Sequence, residues 1–255
     1  MNDIPRGRLF LVPAPLDFGC EELSPLGDVI PMGTLRIAAQ LTHWVCENAK
    51  SARAYLKRID ALIPLAAPLQ AQQILELPHE VHKKGDHSGQ FDARPLLAAA
   101  LEGHDMGLLS EAGMPAVADP GSSVTRAAHQ MGIEVVPLTG PASLLLALAA
   151  SGLNGQNFAF VGYLPQDAEA RTRRIRELEA LALKTGQTQI FIETPYRNAT
   201  LLQALTQTLQ HNTRLAVARG LTLASSSVRS DTVKGWRARS PSAEERTPAV
   251  FAIGR

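Results

Sequence analysis

The sequence predicts an α/β protein built as two α/β domains. Strands and helices alternate from Leu9 to Leu138, the pattern of a parallel or mostly parallel sheet. From Phe158 onward the alternation changes, and several later strands are placed to pair antiparallel. A turn marked by glycine and proline, Leu138 to Pro141, separates the two stretches and sets the domains at 1–138 and 139–255. With 255 residues, 45% of them hydrophobic, the chain can bury one large core or two smaller ones.

The elements follow in order. Leu9 to Val12 is an apolar strand that Pro13 and Pro15 end, since neither can donate a ladder hydrogen bond. Pro31 to Leu41 is a helix, and His43 to Glu47 a second strand. Ser51 to Ile63 carries Ala52, Tyr55, Leu56 and Ile59 at helical spacing. Leu75 to Asp92 is polar and reads as a loop, Pro95 to Leu101 as a helix, and Met106 to Leu109 as a strand. A loop punctuated by glycine and proline then runs into a helix at Ser122 to Met131, followed by a strand at Ile133 to Leu138. Pro141 to Ser151 is a helix of small residues with proline in its first turn, where a missing N–H costs nothing. In the second half, strands are expected at Phe158 to Tyr163, Thr188 to Glu193, Arg214 to Ala218, near Ser227 to Val233, and at Ala249 to Ile253. Helices are expected at Arg171 to Lys184 and Asn198 to Gln210. Trp44, Trp236, Phe158 and Phe160 read as core.

Charge and composition exclude several classes. Lys+Arg number 25 against 24 Asp+Glu, so no global basic excess marks a nucleic-acid binder. Arg171, Arg173, Arg174 and Arg176 form a local cluster beside Asp167, Glu169, Glu177 and Glu179. That cluster is open to two readings: a solvated helix face, or a helix that contacts phosphate. The longest apolar run, Leu144 to Ala150, is far short of the roughly 18–20 residues of a membrane span. The N-terminus lacks the pattern of a secretory signal. Cys20 and Cys46 are too few for a disulfide framework and read as free thiols. A cytoplasmic protein with no membrane partner is expected. His79, His82 and His87 lack a supporting set of cysteines or carboxylates, so no metal is expected.

Three segments carry the candidate chemistry. Ser110-Glu111-Ala112-Gly113-Met114-Pro115, continuing to Asp119-Pro120-Gly121, lies at the carboxyl end of a strand just before a helix. Open α/β sheets bind ligands there. Gly113 and Gly121 permit close backbone approach, and the prolines stiffen the loop. Gly140-Pro141-Ala142-Ser143 lies at the expected junction, where small residues open a cleft between domains and also serve as hinge and helix start. Pro13-Ala14-Pro15 makes a rigid turn after the first strand. The dinucleotide pattern G-x-G-x-x-G and the phosphate-loop pattern G-x-x-x-x-G-K-[ST] are both absent from the sequence.

Taken together, GRLFLVPAPL, LLSEAGMPAVADPG, GIEVVPLTGPASLLLALAASGL, FAFVGYLP, IFIETPYR and LAVARGLT resemble the rRNA small subunit methyltransferase I group of the tetrapyrrole methylase (class III methyltransferase) superfamily. The resemblance covers nearly the whole chain, with its core over Leu108 to Leu153. It implies a cofactor cleft between the two α/β domains, S-adenosyl-L-methionine as the cofactor, and a homodimer. The family's S-D-A-G-x-P maps onto Ser110, Glu111, Ala112, Gly113 and Pro115, and its D-P-G onto Asp119, Pro120 and Gly121. Its P-G-P-x-A maps onto Thr139, Gly140, Pro141, Ala142 and Ser143, and its proline loop onto Pro13, Ala14 and Pro15. All of these but Pro120 and Thr139 are the residues the resemblance assigns to the cofactor.

Other segments depart from the family. Glu111 replaces an Asp. G-N-L-x-D-I-T has become Asp17 to Leu23, E-D-T-R has become Glu47-Asn48-Ala49-Lys50, and R-E-L-T-K has become Arg219 to Leu223. K-G-E has become Arg246-Thr247-Pro248. The cofactor-side motifs are the better kept, so the reaction type is the firmer expectation and the substrate the looser one.

By resemblance the reaction is an in-line methyl transfer to an oxygen or nitrogen of RNA, with 16S rRNA or the small ribosomal subunit as substrate partner in rRNA processing. Alignment of the reacting atoms supplies several kcal/mol of the barrier, and a base assists if the acceptor is a ribose hydroxyl. Glu193, Glu111 and Glu47 are the candidate catalytic bases, each with a cap or ion-pair role as its alternative. Arg197 and Arg219 follow second-domain strands and are candidate substrate contacts, again against a structural ion pair. The rival functions are methylation of a tetrapyrrole or another small molecule, and a cofactor-binding protein without catalysis.

Overall fold

The computed structural model describes residues 5–17, 19–84, 91–238 and 247–255, without the side chains of 82–84. The chain falls into two compact units, Met1–Pro141 and Ala142–Arg255.

The first unit is a five-stranded, all-parallel sheet. Its strands are β1 (Leu9–Val12), β2 (His43–Cys46), β3 (Gln73–Glu76), β4 (Met106–Leu109) and β5 (Val135–Pro137), in the order β3-β2-β4-β1-β5. The connecting helices are α1 (Leu26–Val29), α2 (Met32–Gln40), α3 (Ala49–Asp60), α4 (His79–Lys84), α5 (Ala98–Leu101) and α6 (Ser122–Gln130). Helices on both faces explain the near-continuous burial of the central strands. On one face Phe10, Val12, Trp44 and Leu109 pack against Leu35 and Ala38 of α2 and Leu56 and Ile59 of α3. On the other, Leu9, Val45 and Leu108 pack against Leu97 and against Val124 and Ala128 of α6. Each such fully buried aliphatic or aromatic side chain contributes about 1.5–3 kcal/mol. The wholly buried Trp44 ring lies over Gly107, where an added Cβ would come within 2.3 Å of it. Its indole Nε1 donates to Gln72 Oε1 at 2.9 Å.

The second unit is a mixed sheet. Its strands are β6 (Phe158–Tyr163), β7 (Thr188–Glu193), β8 (Arg214–Arg219), β9 (Ser227–Thr232) and β10 (Ala249–Gly254), in the order β6-β7-β10-β8-β9. β6 and β7 run parallel, and the remaining pairs are antiparallel. Helix α7 (Ser143–Ser151) covers one face through Leu144, Ala147 and Leu148. Helices α8 (Ala168–Thr185), α9 (Asn198–Thr208) and α10 (Val233–Ala238) cover the other through Ile175, Leu178, Leu201, Leu205 and Trp236. Asp167 caps α8 by accepting from Ala170 N, and Gly186 ends it in the left-handed region at φ +71°.

Four expectations need correction. Leu75 to Asp92 is not all loop: β3 and α4 occupy part of it, while 85–90, with His87, lie outside the described residues. β3 is a sheet edge exposed along most of its length, so the apolar alternation that marks a half-buried strand is missing. Pro95 to Leu101 is a 3-10 turn, Arg94–Leu97, followed by the single turn of α5. Pro141 precedes α7 instead of opening it, because Ala142 takes the extended cap position. Phe158 and Phe160 are not core, being 42% and 36% exposed. They lie on edge strand β6, whereas α7 packs over β8, β9 and β10.

Candidate active site

The order of the first sheet dictates where a site can form. From β1 the chain crosses to one side, toward β2, and from β4 it crosses to the other, toward β5. β1 and β4 are neighbours, so their carboxyl ends flank a switch point, the crevice where open α/β sheets bind ligands. The loops leaving these two strands are tied together by main chain alone. Ala14 N donates to Gly113 O at 2.9 Å, and Gly113 N donates to Ala14 O at 3.0 Å. Gly113 holds φ +72°, which a side chain would strain. Gly140 lies so close to Pro13 that an added Cβ would come within 2.2 Å of its ring. Thr139 O accepts from Thr34 Oγ1 at 2.7 Å.

A cavity of about 430 Å³ opens at these strand ends. Ala14 and Pro15 line it after β1, Cys46 and Glu47 after β2, Ser110 and Glu111 after β4, with one face of α3 alongside. α3 is capped by Asn48, whose side chain accepts from Lys50 N and Ser51 N. Such a cap contributes about 1 kcal/mol, a role that Asn and Asp fill equally well.

The cavity has an acidic end. Glu47 Oε1 accepts from Glu111 N at 3.3 Å, and Ser51 Oγ donates to Glu111 Oε1 at 3.1 Å. Asp119 is pushed up to about 7, first by burial and then by the charges of Glu47 and Glu111. The loop carrying Asp119 is bent, with Ala116 and Ala118 at φ 64° and 63° and Gly121 at φ 129°. Left-handed alanines cost of order 1 kcal/mol each and persist where surrounding structure enforces them. Ser110, buried, lies within hydrogen-bond reach of the Ala112 and Gly113 carbonyls.

The first unit therefore brings together Pro13, Ala14, Pro15, Ser110, Glu111, Ala112, Gly113, Gly140 and Pro141, with Asp119 in the field of Glu47 and Glu111. Pro115 is buried in the same loop, and Gly121 heads α6. Ala142 and Ser143 fall in the second unit as the cap and first residue of α7. Glu193, Arg197 and Arg219 are also in the second unit. Glu193 Oε1 accepts from Thr194 N at 2.7 Å, Thr194 Oγ1 at 3.2 Å, and Arg197 Nε and Nη2 at 3.0 and 2.7 Å. With its side chain 3% exposed, this carboxylate is an anchor for Arg197. On α8, Arg173 and Arg176 are exposed beside Glu169 and Glu177, and Arg174 pairs with Glu177 at 3.2 Å. Among the described residues, no group of three or more His, Cys, Asp or Glu is placed to hold a metal ion. No helix among them is long and apolar enough to cross a membrane.

The family model described as Tetrapyrrole (Corrin/Porphyrin) Methylases matches residues 28–235. The chain belongs to the tetrapyrrole methylase family. Among curated relatives, the ribosomal RNA small subunit methyltransferase I of Vibrio cholerae serotype O1 is 37% identical over 137 residues, 54% of this chain and 46% of that one. The protein of that name from Pseudomonas aeruginosa is 30% identical over 224 residues, 88% of this chain and 70% of that one. The chain thus spans about half the length of some curated relatives and about two thirds of others. Among solved structures, the methyltransferase CobJ matches at TM-score 0.58 and 19% identity, covering 98% of this chain and 94% of that one. The native uroporphyrin III C-methyl transferase of Thermus thermophilus matches at 0.54 and 15%, covering 98% of both. At these identities the likeness is one of fold.

The cavity of this family member carries features that the sequence did not reveal. Arg58 forks onto Asp17, Nη1 to Oδ1 at 3.1 Å and Nη2 to Oδ2 at 3.0 Å, and Nη2 also donates to Ser24 O at 2.7 Å. Ser24 N donates back to Asp17 Oδ2 at 3.0 Å. One turn earlier on α3, Tyr55 Oη donates to Pro13 O at 2.9 Å. The contacts of Arg58 and Tyr55 join residues 34 to 42 positions apart, and no local spacing announces them. Arg58 sits one position from Lys57 and two from Asp60, so in sequence it looks like a solvated helix charge.

Proposed function

We propose that this chain is an S-adenosylmethionine-dependent methyltransferase acting on RNA, with a ribose hydroxyl of 16S rRNA in the small ribosomal subunit as acceptor. The observation that carries this reading is the match to the Pseudomonas aeruginosa protein named ribosomal RNA small subunit methyltransferase I, which runs through 88% of this chain and 70% of that one. The first unit's cavity suits the donor in size, since small-ligand sites span roughly 300–1,000 Å³. It also suits it in charge: Glu47 and Glu111 line the cavity, and their charges add to burial in raising Asp119 to about 7, an acidic setting that favours a cationic ligand. When bound, S-adenosylmethionine supplies a methyl group on a cationic sulfonium. The turns at Pro13-Ala14-Pro15 and Ser110 to Gly113 would hold its nucleoside by main chain, and Gly140 keeps Pro13 in place.

The protein's contribution is alignment, exclusion of water and removal of one proton. Glu111 and Glu47 stand first as bases because both line the cavity. Glu193 stands last because its Oε1 is already engaged by Thr194 and Arg197. Arg197 and Arg219 remain proposed RNA contacts, and we place the protein in the cytoplasm as a homodimer. Calorimetric titration with S-adenosylmethionine tests the donor, and transfer of a labelled methyl group to small ribosomal subunits tests the acceptor. Binding without transfer to RNA, but with transfer to a tetrapyrrole, would move the acceptor to a small molecule. Failure to bind the donor would end the reading.

A further inference from the structure

One end of the second unit's sheet gathers groups that do not line the first unit's cavity. Ala249 of β10 pairs with Glu193 on one side and with Arg219 on the other. The ends of β7 and β8 therefore stand level, with Glu193 and Arg219 about 10 Å apart across two strand spacings. Beyond β7, the nearly buried Glu193 carboxylate grips Arg197 by two N–H groups. So fixed, the Arg197 guanidinium lies over the Tyr196 ring, 5.3 Å from its centroid. Tyr196 is 69% exposed, more than any other large apolar side chain among the described residues. Two positions on, Asn198, 3% exposed, donates from Nδ2 to Thr247 O at 2.9 Å, while its Oδ1 has no partner among the described residues. Among them Arg219 makes no ion pair.

An aromatic ring with a cation behind one face and solvent before the other is a pre-set stacking surface. Its orientation is fixed before any ligand arrives, which lowers the entropy lost on binding. Single-stranded RNA supplies the complementary chemistry, because every base has a π-face and each link carries a negative charge. We infer that this sheet end is a nucleotide-contact site, in which the open face of Tyr196 stacks a base of single-stranded RNA and Arg219 pairs with a neighbouring phosphate. The inference rests on the RNA reading above and deepens it by naming the form of RNA and the residue that meets a base.

The test uses the full chain, a fluorescently labelled single-stranded oligoribonucleotide of mixed sequence, and anisotropy at two salt concentrations without methyl donor. Tyr196→Ala weakens binding by about 5- to 150-fold, the range of one lost base stack, and Tyr196→Phe stays within about twofold of wild type. Arg219→Ala lowers the slope of log affinity against log salt by about one, while Tyr196→Ala leaves that slope unchanged. Wild-type affinity in Tyr196→Ala, an equal loss in Tyr196→Phe, or no binding by the wild-type chain overturns the inference. Calorimetry with S-adenosylmethionine on the same preparations keeps the two readings apart. A chain that binds the oligonucleotide through residue 196 but takes up no donor supports the stacking site and overturns the proposed methyl transfer.

Discussion

Asp119 is a residue whose acid–base chemistry the fold alters strongly. Burial first, and the charges of Glu47 and Glu111 second, raise it from 3.8 to about 7. For a carboxylate raised in this way, the proton stabilises the folded state fully below about 3.8, and that contribution is lost as pH rises through about 7. The free protein is therefore expected to melt at a lower temperature at about pH 8 than at about pH 5, and Asp119→Asn to flatten that difference. A scan of melting temperature against pH for the two proteins checks this, and a parallel decline in both would refute it. Binding of a cation should reverse the effect, so S-adenosylmethionine is expected to stabilise the wild-type chain more as pH rises. At the same site, replacing the operative base, Glu111 or Glu47, by Gln should lower kcat by about 10²- to 10⁴-fold. Single-turnover assays on small ribosomal subunits would separate this loss from weakened binding.

Elements rather than single residues decide whether the cavity exists. Helix α3 is fastened to the segment after β1 twice, by Tyr55 at Pro13 and by Arg58 at Asp17 and Ser24. Arg58→Met leaves Asp17, 4% exposed, as a buried charge without its cation. The expected cost is about 3 kcal/mol, read as a lower urea midpoint in Trp44 fluorescence. Arg58→Lys keeps the charge but loses the fork, and should weaken donor affinity more than it lowers stability. Gly140→Ala would thrust a methyl group into Pro13, and calorimetry should find its donor affinity reduced at least tenfold. At this scale the sequence was legible wherever an element is buried by its own pattern. β1, β4 and β7 lie where the residues placed them, because apolar runs bounded by proline, glycine or charge leave little choice. It was illegible at β3, an exposed edge strand, and at α10, which starts at Val233 directly after β9 ends at Thr232. The turns around the cavity could be read from Gly113 and the prolines, but the Arg58 fork could not, since its partners meet only after α3 has packed.

For the whole molecule, the two units give two separate reporters. The chain has two tryptophans: Trp44 is buried in the first unit and Trp236 in the second, where Arg229 lies 3.9 Å from its ring centroid. A Trp236→Phe chain reports the first unit and a Trp44→Phe chain the second. Because the cavity lies wholly within Met1–Pro141, saturating methyl donor should raise the unfolding free energy read through Trp44 by about 2.7 kcal/mol at a hundredfold excess over its dissociation constant. An unmoved Trp44 transition would place the donor elsewhere.

The reciprocal link between Ala14 and Gly113 bears on how such a protein can change over time. Amide and carbonyl groups are the same in every residue but proline, so a latch made from them carries no side-chain identity. Lineages can exchange the groups that point into the crevice, an Asp for the longer Glu111 for instance, without reshaping its floor. What they cannot exchange cheaply is the glycine at 113. Under the proposed methyl transfer, a protein built on this latch can alter its choice of acceptor while its grip on the donor stays the same.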